Sequence, residues 1–337
     1  MHNKYFKLFA NCIPVNGYKR SIICDLQKLR FSFIPNSLFD ILSKTDFVDI
    51  NATKKLYNND LIINEYFDFL IKKDFGHYIS IEEIALFPKL SLEWHSPSKI
   101  INAILDFDNK TNYNVESTIK QLDDLGCKNI QLRFFGLTPL LKITKILNHI
   151  AKNSINSIEI ILHNNPDIDI MSIHSICDEY PKICDIYIYN SPKFEITKKR
   201  TKDQANIIYV IDNIIDENSC GNISYKSFSL NISSFCESQN FNSCLNRKIS
   251  IDKNGEIKNC PSIKKSYGNI NNTLLYDVIK KKEFLELWNI CKDEIDTCKV
   301  CEFRYICTDC RAYTEDSKNI FSKPEKCSYN PYTATGF

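Results

Sequence analysis

Thirteen residues near the C-terminus, CKVCEFRYICTDC from Cys298 to Cys310, carry four thiols. A thiolate is a soft donor, and two cysteines separated by two residues can turn both sulfurs toward one metal without straining the backbone. Cys298 with Cys301 and Cys307 with Cys310 are two such pairs. Alone, they suit a four-cysteine zinc site, since metal identity is not written in the spacing. The chain offers further donors. Cys244, Gly255 and Cys260 form C-x10-G-x4-C upstream, Cys327 lies downstream, and Cys236 stands eight residues before Cys244. Eight thiols without a conveniently placed histidine match the stoichiometry of two all-cysteine clusters.

The rest of the composition narrows the setting. The chain has 337 residues, enough for two or three domains of about 150 residues each. Its 43 basic and 41 acidic side chains leave +2, so no charge steers it toward nucleic acid or a membrane. The opening residues MHNKYFKLFANCIPVNGYKR lack a signal-peptide core, and no run of about 18 apolar residues occurs, which predicts a cytoplasmic protein. Fifteen cysteines in a reducing compartment argue against a disulfide framework. Cys12, Cys24, Cys127, Cys177, Cys184, Cys220 and Cys291 read as small buried or surface thiols outside the site.

The elements that must position the eight thiols follow from the periodicity. Residues 1–90 read as a small α+β unit: strands in YFKLFANCIPV, RSIICDL and FSFIP, then helices in SLFDILSKT and NEYFDFLIKKDF. Residues 91–232 alternate strand and helix. KIINAILDFD is a buried strand, and Asn114 caps a helix VESTIKQLDDLG that Gly126 stops. Strands NIQLRFF, SIEIILH, DIYIY, NIIYVID and SYKSFSLN follow, predicting six strands in a parallel α/β sheet, open or closed into a partial barrel. The charged segment KFEITKKRTKDQAN reads as a solvated helix or loop. Residues 233–337 are cysteine-rich, with a hairpin at Asn254-Gly255, a helical stretch capped by Thr273, and a frayed tail SYNPYTATGF.

The order C-x10-G-x4-C, C-x2-C-x5-C-x2-C and a final cysteine resembles the SPASM domain, the C-terminal extension of many radical S-adenosylmethionine enzymes that modify peptides. The stretch SYGNINNTLLYDVIKKKEFLELW resembles that domain's linker. The resemblance implies two auxiliary [4Fe–4S] clusters. One would take Cys244, Cys260 and Cys310 with Cys236 as fourth ligand; the other would take Cys298, Cys301, Cys307 and Cys327. It also implies that residues 91–232 form a (β/α)6 partial barrel of the radical type.

That barrel lacks its radical chemistry. The loop after the first strand, DFDNKTNYN, holds no cysteine, and C-x3-C occurs nowhere. LRFFGLTPLL keeps only Gly136 of a Gly-Gly-Glu motif, with Thr138 in the glutamate's place. No residue is assigned to S-adenosylmethionine, and none is assigned a catalytic role; Glu93, His95 and Asp106 read as ordinary surface or supporting groups. The combination is similar to the SPASM-domain peptide maturases of grasp-with-spasm systems. It implies a maturation factor for ribosomally synthesised, post-translationally modified peptides, binding a precursor peptide and acting with an ATP-grasp ligase. A cluster-dependent redox enzyme and a zinc-stabilised interaction module are the alternatives.

Overall fold

The N-terminal residues build two small antiparallel sheets. The structure, a computed structural model, describes residues 5–58, 60–197, 205–214 and 216–337. β1 (Tyr5–Leu8), β2 (Cys12–Val15), β3 (Ser21–Asp25) and β4 (Arg30–Ile34) lead into α1 (Asn36–Ser43), β5 (Val48–Asp49), α2 (Ile50–Leu56), α3 (Ile62–Lys72) and β6 (Gly76–Ile79). β1 lies between β5 and β6, and β3 lies between β2 and β4. Phe6, Leu38, Phe67 and Phe75 fill one core beneath the helices. The β2–β3–β4 sheet also turns Val15, Ile22 and Cys24 toward Phe235, Phe303, Ile306 and Tyr329, so the N-terminal strands pack directly on the cysteine-rich region.

A mostly parallel sheet occupies the middle of a mixed α/β fold. Its elements are β7 (Asn102–Phe107), α4 (Val115–Asp124), β8 (Asn129–Phe134), α5 (Leu140–Ala151), β9 (Ser157–His163), α6 (Ile170–Glu179), β10 (Ile183–Tyr189), β11 (Glu195–Thr197) and β12 (Asn206–Tyr209). After them come α7 (Ile232–Glu237), β13 (Lys248–Ile251), β14 (Ile257–Lys258), α8 (Leu275–Val278) and α9 (Lys282–Leu285). The strand order is β11-β12-β10-β9-β8-β7-β13-β14, with β11 and β14 antiparallel edges. Asn114 caps α4 by accepting from Ser117 N at 2.9 Å, as its sequence position predicts.

The two faces of this sheet differ. Ala103, Leu105, Ile130, Leu132, Ile158 and Ile160 form the apolar face and share a core with Ile119, Leu122, Ile146 and Leu147 of the crossover helices. The alternate residues are largely polar: Asn102, Asp106, Gln131, Arg133, Glu159 and Asp185. A parallel sheet covered on both sides carries apolar residues on both. The polar face here is the one that receives Cys244, Cys260 and Cys310, described below.

Five details depart from what the sequence predicts. SYKSFSLN is not a strand: Tyr225–Ser227 is a 3-10 turn, and Tyr225 and Phe228, three residues apart, both pack against Phe303. The sixth parallel strand is β13, which pairs with β7 at the opposite side of the sheet. Thr273 does not cap; Leu274 holds the position before α8, without a side-chain cap bond. The tail is packed rather than frayed, because Phe337 stacks on Tyr329 at 4.9 Å and 22°. Within KFEITKKRTKDQAN, Glu195–Thr197 forms β11, and residues 198–204 lie outside the described residues. No helix among the described residues is long and apolar enough to cross a membrane.

Glu302 ties the N-terminal strands to the cysteine-rich region. Its fully buried carboxylate accepts from Arg20 Nε at 2.9 Å and from the Tyr329 hydroxyl at 2.5 Å. Arg20 in turn lies 3.6 Å above the Phe33 ring. Because Arg20 is partly exposed, Glu302→Ala is expected to cost about 2–3 kcal/mol, below the 3–5 typical of a fully buried pair. Denaturant unfolding measures it, and an unchanged midpoint would contradict the tie.

Candidate metal centre

Short turns gather one group of thiols. Cys298–Val300 is a 3-10 turn, entered through Thr297 at φ 67°, and Cys301 N closes it on Cys298 O at 2.9 Å. Ile306 N and Cys307 N both bond to Phe303 O, which brings Cys307 back toward that turn. Cys327 arrives on a separate turn, its N–H on Pro324 O at 3.1 Å. Cys298, Cys301, Cys307 and Cys327 thereby line one cavity of about 20 Å³, with Lys292, Phe303 and Tyr329.

Charge defines this cavity more sharply than shape. The Lys292 ammonium lies 3.7 Å from Cys307 Sγ, 3.2 Å from Thr308 O and 3.9 Å from Asp309. Asp309 is also held by Arg311 at 2.7 Å and accepts from Asn242 Nδ2 at 2.8 Å. The side chains of Lys292, Asp309 and Arg311 are at most 4% exposed. Two buried cations thus share one buried carboxylate, leaving one positive charge beside the thiols. Burial pushes the Cys298 thiol up and the Cys307 thiol up to about 11, with Lys292 pulling both back. Neutral thiols do not balance the ammonium; metal-bound thiolates do, so the donor set fits a metal centre.

Cys244, Cys260 and Cys310 form a second neighbourhood. Cys244 lies just before β13 and Cys260 just after β14, so the hairpin turned by Asn254-Gly255, with Gly255 at φ +83°, carries both. Burial, and next the charge of Cys244, raises Cys260 to about 12; burial also raises Cys310, where Cys244 again contributes. Lys248 Nζ stands 3.5 Å from Cys244 Sγ. Burial opposes the Lys248 charge, but Cys244 and Cys260 outweigh it and hold its pKa above the ordinary lysine value. Each thiol group therefore has its own lysine.

This group lies against the polar face of the main sheet. Arg133 binds Asp106 through two bonds of 2.6 and 2.7 Å at the ends of β8 and β7, both side chains buried, and Cys260 adds to the field on Arg133. On the apolar face beside them, Phe107 stacks on Phe134 at 5.0 Å and on Tyr113 at 5.7 Å. Buried aromatics and an ion pair thus crowd the strand ends from which the cysteine-free loop DFDNKTNYN departs. Glu93 and His95 are exposed and face one another at 3.6 Å.

Cys236, the fourth donor that the resemblance implies, takes its position from α7. It is buried on α7 with Sγ 3.8 Å from Ser91 O, and burial alone raises its pKa. Cys220, read from the sequence as a thiol outside the site, contributes to the field on Cys260, Cys310 and Lys248. No spacing motif marks it. Cys12, Cys24 and Cys127 are buried and surrounded by core side chains. Among the described residues no three His, Cys, Asp or Glu side chains converge on a point that would chelate a single ion.

No family model matches the sequence, and no curated protein matches it. Among solved structures, the chain is similar to Streptococcus suis SuiB bound to S-adenosylmethionine, at 11% identity over 91% of this chain and 96% of that one, with a TM-score of 0.36. It is similar at 11% identity, the same coverage and a TM-score of 0.34 to SuiB bound to its precursor peptide SuiA. A likeness at that level fixes neither fold in detail nor activity.

Lys292→Met tests the charge argument in both states. It removes the unbalanced buried cation from metal-free protein, which is expected to gain about 1–4 kcal/mol, whereas loaded protein loses stability and retains less metal. Unfolding midpoints of stripped and loaded protein read the two signs. Destabilisation of the stripped form would contradict the argument.

Proposed function

We propose that the protein is a maturation factor for ribosomally synthesised peptides, holding two [4Fe–4S] clusters in a SPASM-type domain and binding a precursor peptide on behalf of an ATP-grasp ligase. The observation that carries it is the pairing of two separate thiol groups with two lysines, Lys248 at Cys244 and Lys292 at Cys307. One cluster would be held by Cys244, Cys260 and Cys310 with a fourth donor, the other by Cys298, Cys301, Cys307 and Cys327. Such clusters supply single-electron transfer or structural cross-linking when bound. Around them, Lys248 and Lys292 balance negative charge, while Asp309 fixes the loop between Cys307 and Cys310 through its N–H on Ser243 Oγ at 3.0 Å. With no C-x3-C sequence in the chain, the partial barrel is assigned no radical step.

The proposed peptide site is the N-terminal unit, taken as residues 1–90, with the barrel at 91–232 and the SPASM domain at 233–337. Among the described residues β2 pairs only with β3, and beside it lies a cavity of about 260 Å³ lined by Leu8, Phe9, Ala10, Ile13, Leu42 and Leu90 among others. A free strand edge next to an apolar cavity suits strand addition, in which main-chain bonds give affinity and a pocket takes alternate side chains.

Two outcomes test the proposal. Calorimetric titration with the cognate precursor should show binding that Ala10→Trp, which fills the cavity, weakens at least about tenfold, or about 1.4 kcal/mol. Iron content of that variant should not change. Binding that ignores Ala10→Trp would move the peptide elsewhere. Separately, Cys310→Ser should lower iron from about eight to about four per chain, and loss of all metal would favour a single four-cysteine zinc knot over residues 298–310.

A further inference from the structure

The thiol group of Cys244, Cys260 and Cys310 has three members named by sequence spacing and needs a fourth. Residues 216–223 cross this group as an extended stretch with one 3-10 turn, Glu217–Ser219. Three contacts fix them there. Ser262 Oγ, two residues after Cys260, donates to Glu217 O at 3.0 Å, and Lys326 Nζ donates to Cys220 O at 2.7 Å. The third contact is the closest approach. Gly221, at φ +90°, passes so near Cys310 that a Cβ on it would lie 3.1 Å from Cys310 Sγ and 3.0 Å from the Tyr313 ring. Glycine is favoured because φ +90° strains any side chain and a Cβ would press on the Tyr313 ring and Cys310 Sγ. The backbone beside Cys220 is thus laid against one ligand and tied to a residue two positions beyond another.

Cys236 meets none of these conditions. It lies on α7, buried, its sulfur directed to Ser91 O at 3.8 Å, and burial alone raises its pKa. Cys220 is exposed and acts electrostatically on Cys260, Cys310 and Arg133.

We infer that Cys220, not Cys236, is the fourth thiolate of the centre formed by Cys244, Cys260 and Cys310. This rests on the two-cluster reading above. It implies a centre closed on the solvent side by a loop that follows the main sheet, and on the inner side by the β13–β14 hairpin.

The test uses full-length protein loaded anaerobically: wild type, Cys220→Ser and Cys236→Ser, with iron and acid-labile sulfide per chain and the EPR spectrum after dithionite reduction. Cys220→Ser is expected to lose between one and four irons of about eight and to alter one of two cluster signals. Cys236→Ser is expected to keep both. The unaltered signal reports that the chain has folded, and Cys220, being exposed, removes no core packing when replaced. Full iron and an unchanged spectrum in Cys220→Ser overturn the inference, as does depletion in Cys236→Ser alone. Wild-type protein without iron overturns the two-cluster reading itself, before any variant is made.

Discussion

A buried charge that its protein neighbours do not balance constrains the C-terminal third of this chain. Lys292 and Arg311 share Asp309, all three side chains almost wholly out of solvent, and the remaining positive charge faces Cys298, Cys301 and Cys307. Protonated thiols leave that charge uncompensated, at a cost of several kcal/mol in a low-dielectric site. Thiolates bound to metal would remove the cost and would couple folding of the region to metal loading. Lys248 repeats the arrangement near Cys244. Asp309 stands between Cys307 and Cys310, so the residue that balances the charges also separates the two neighbourhoods.

The remaining elements hold these neighbourhoods in register. The β13–β14 hairpin extends the main sheet beside β7, which fixes Cys244 and Cys260 relative to the Asp106–Arg133 pair. On the other side, the N-terminal sheet meets Phe303 and Tyr329 and is anchored by Arg20 on Glu302, the residue following Cys301. A binding event at the N-terminal sheet would therefore be felt one residue from a proposed ligand. Packing of Phe337 on Tyr329 closes the same wall of the cavity.

Much of this was legible in the sequence, for identifiable reasons. The crossover helices carry strong 3.6-residue periodicity and a side-chain cap at Asn114, and the Asn-Gly turn marks its hairpin without tertiary help. Short spacings, as in Cys298-x2-Cys301, force proximity through local geometry, so those thiols were visible as a group. The approach of Gly221 to Cys310 was not, because it depends on the path of an irregular stretch, and no local pattern encodes that. The misread strand SYKSFSLN failed for a related reason: Tyr225 and Phe228 look strand-forming by composition, yet both are drawn to Phe303.

The central claim is that the eight-thiol region holds two all-cysteine iron–sulfur centres rather than zinc. Quantitative iron, sulfide and zinc analysis of wild-type protein purified anaerobically, combined with Mössbauer spectroscopy, tests it most directly. The account predicts a brown protein with about eight irons and about eight sulfides per chain, all in four-iron clusters. A colourless protein carrying zinc in their place would contradict it.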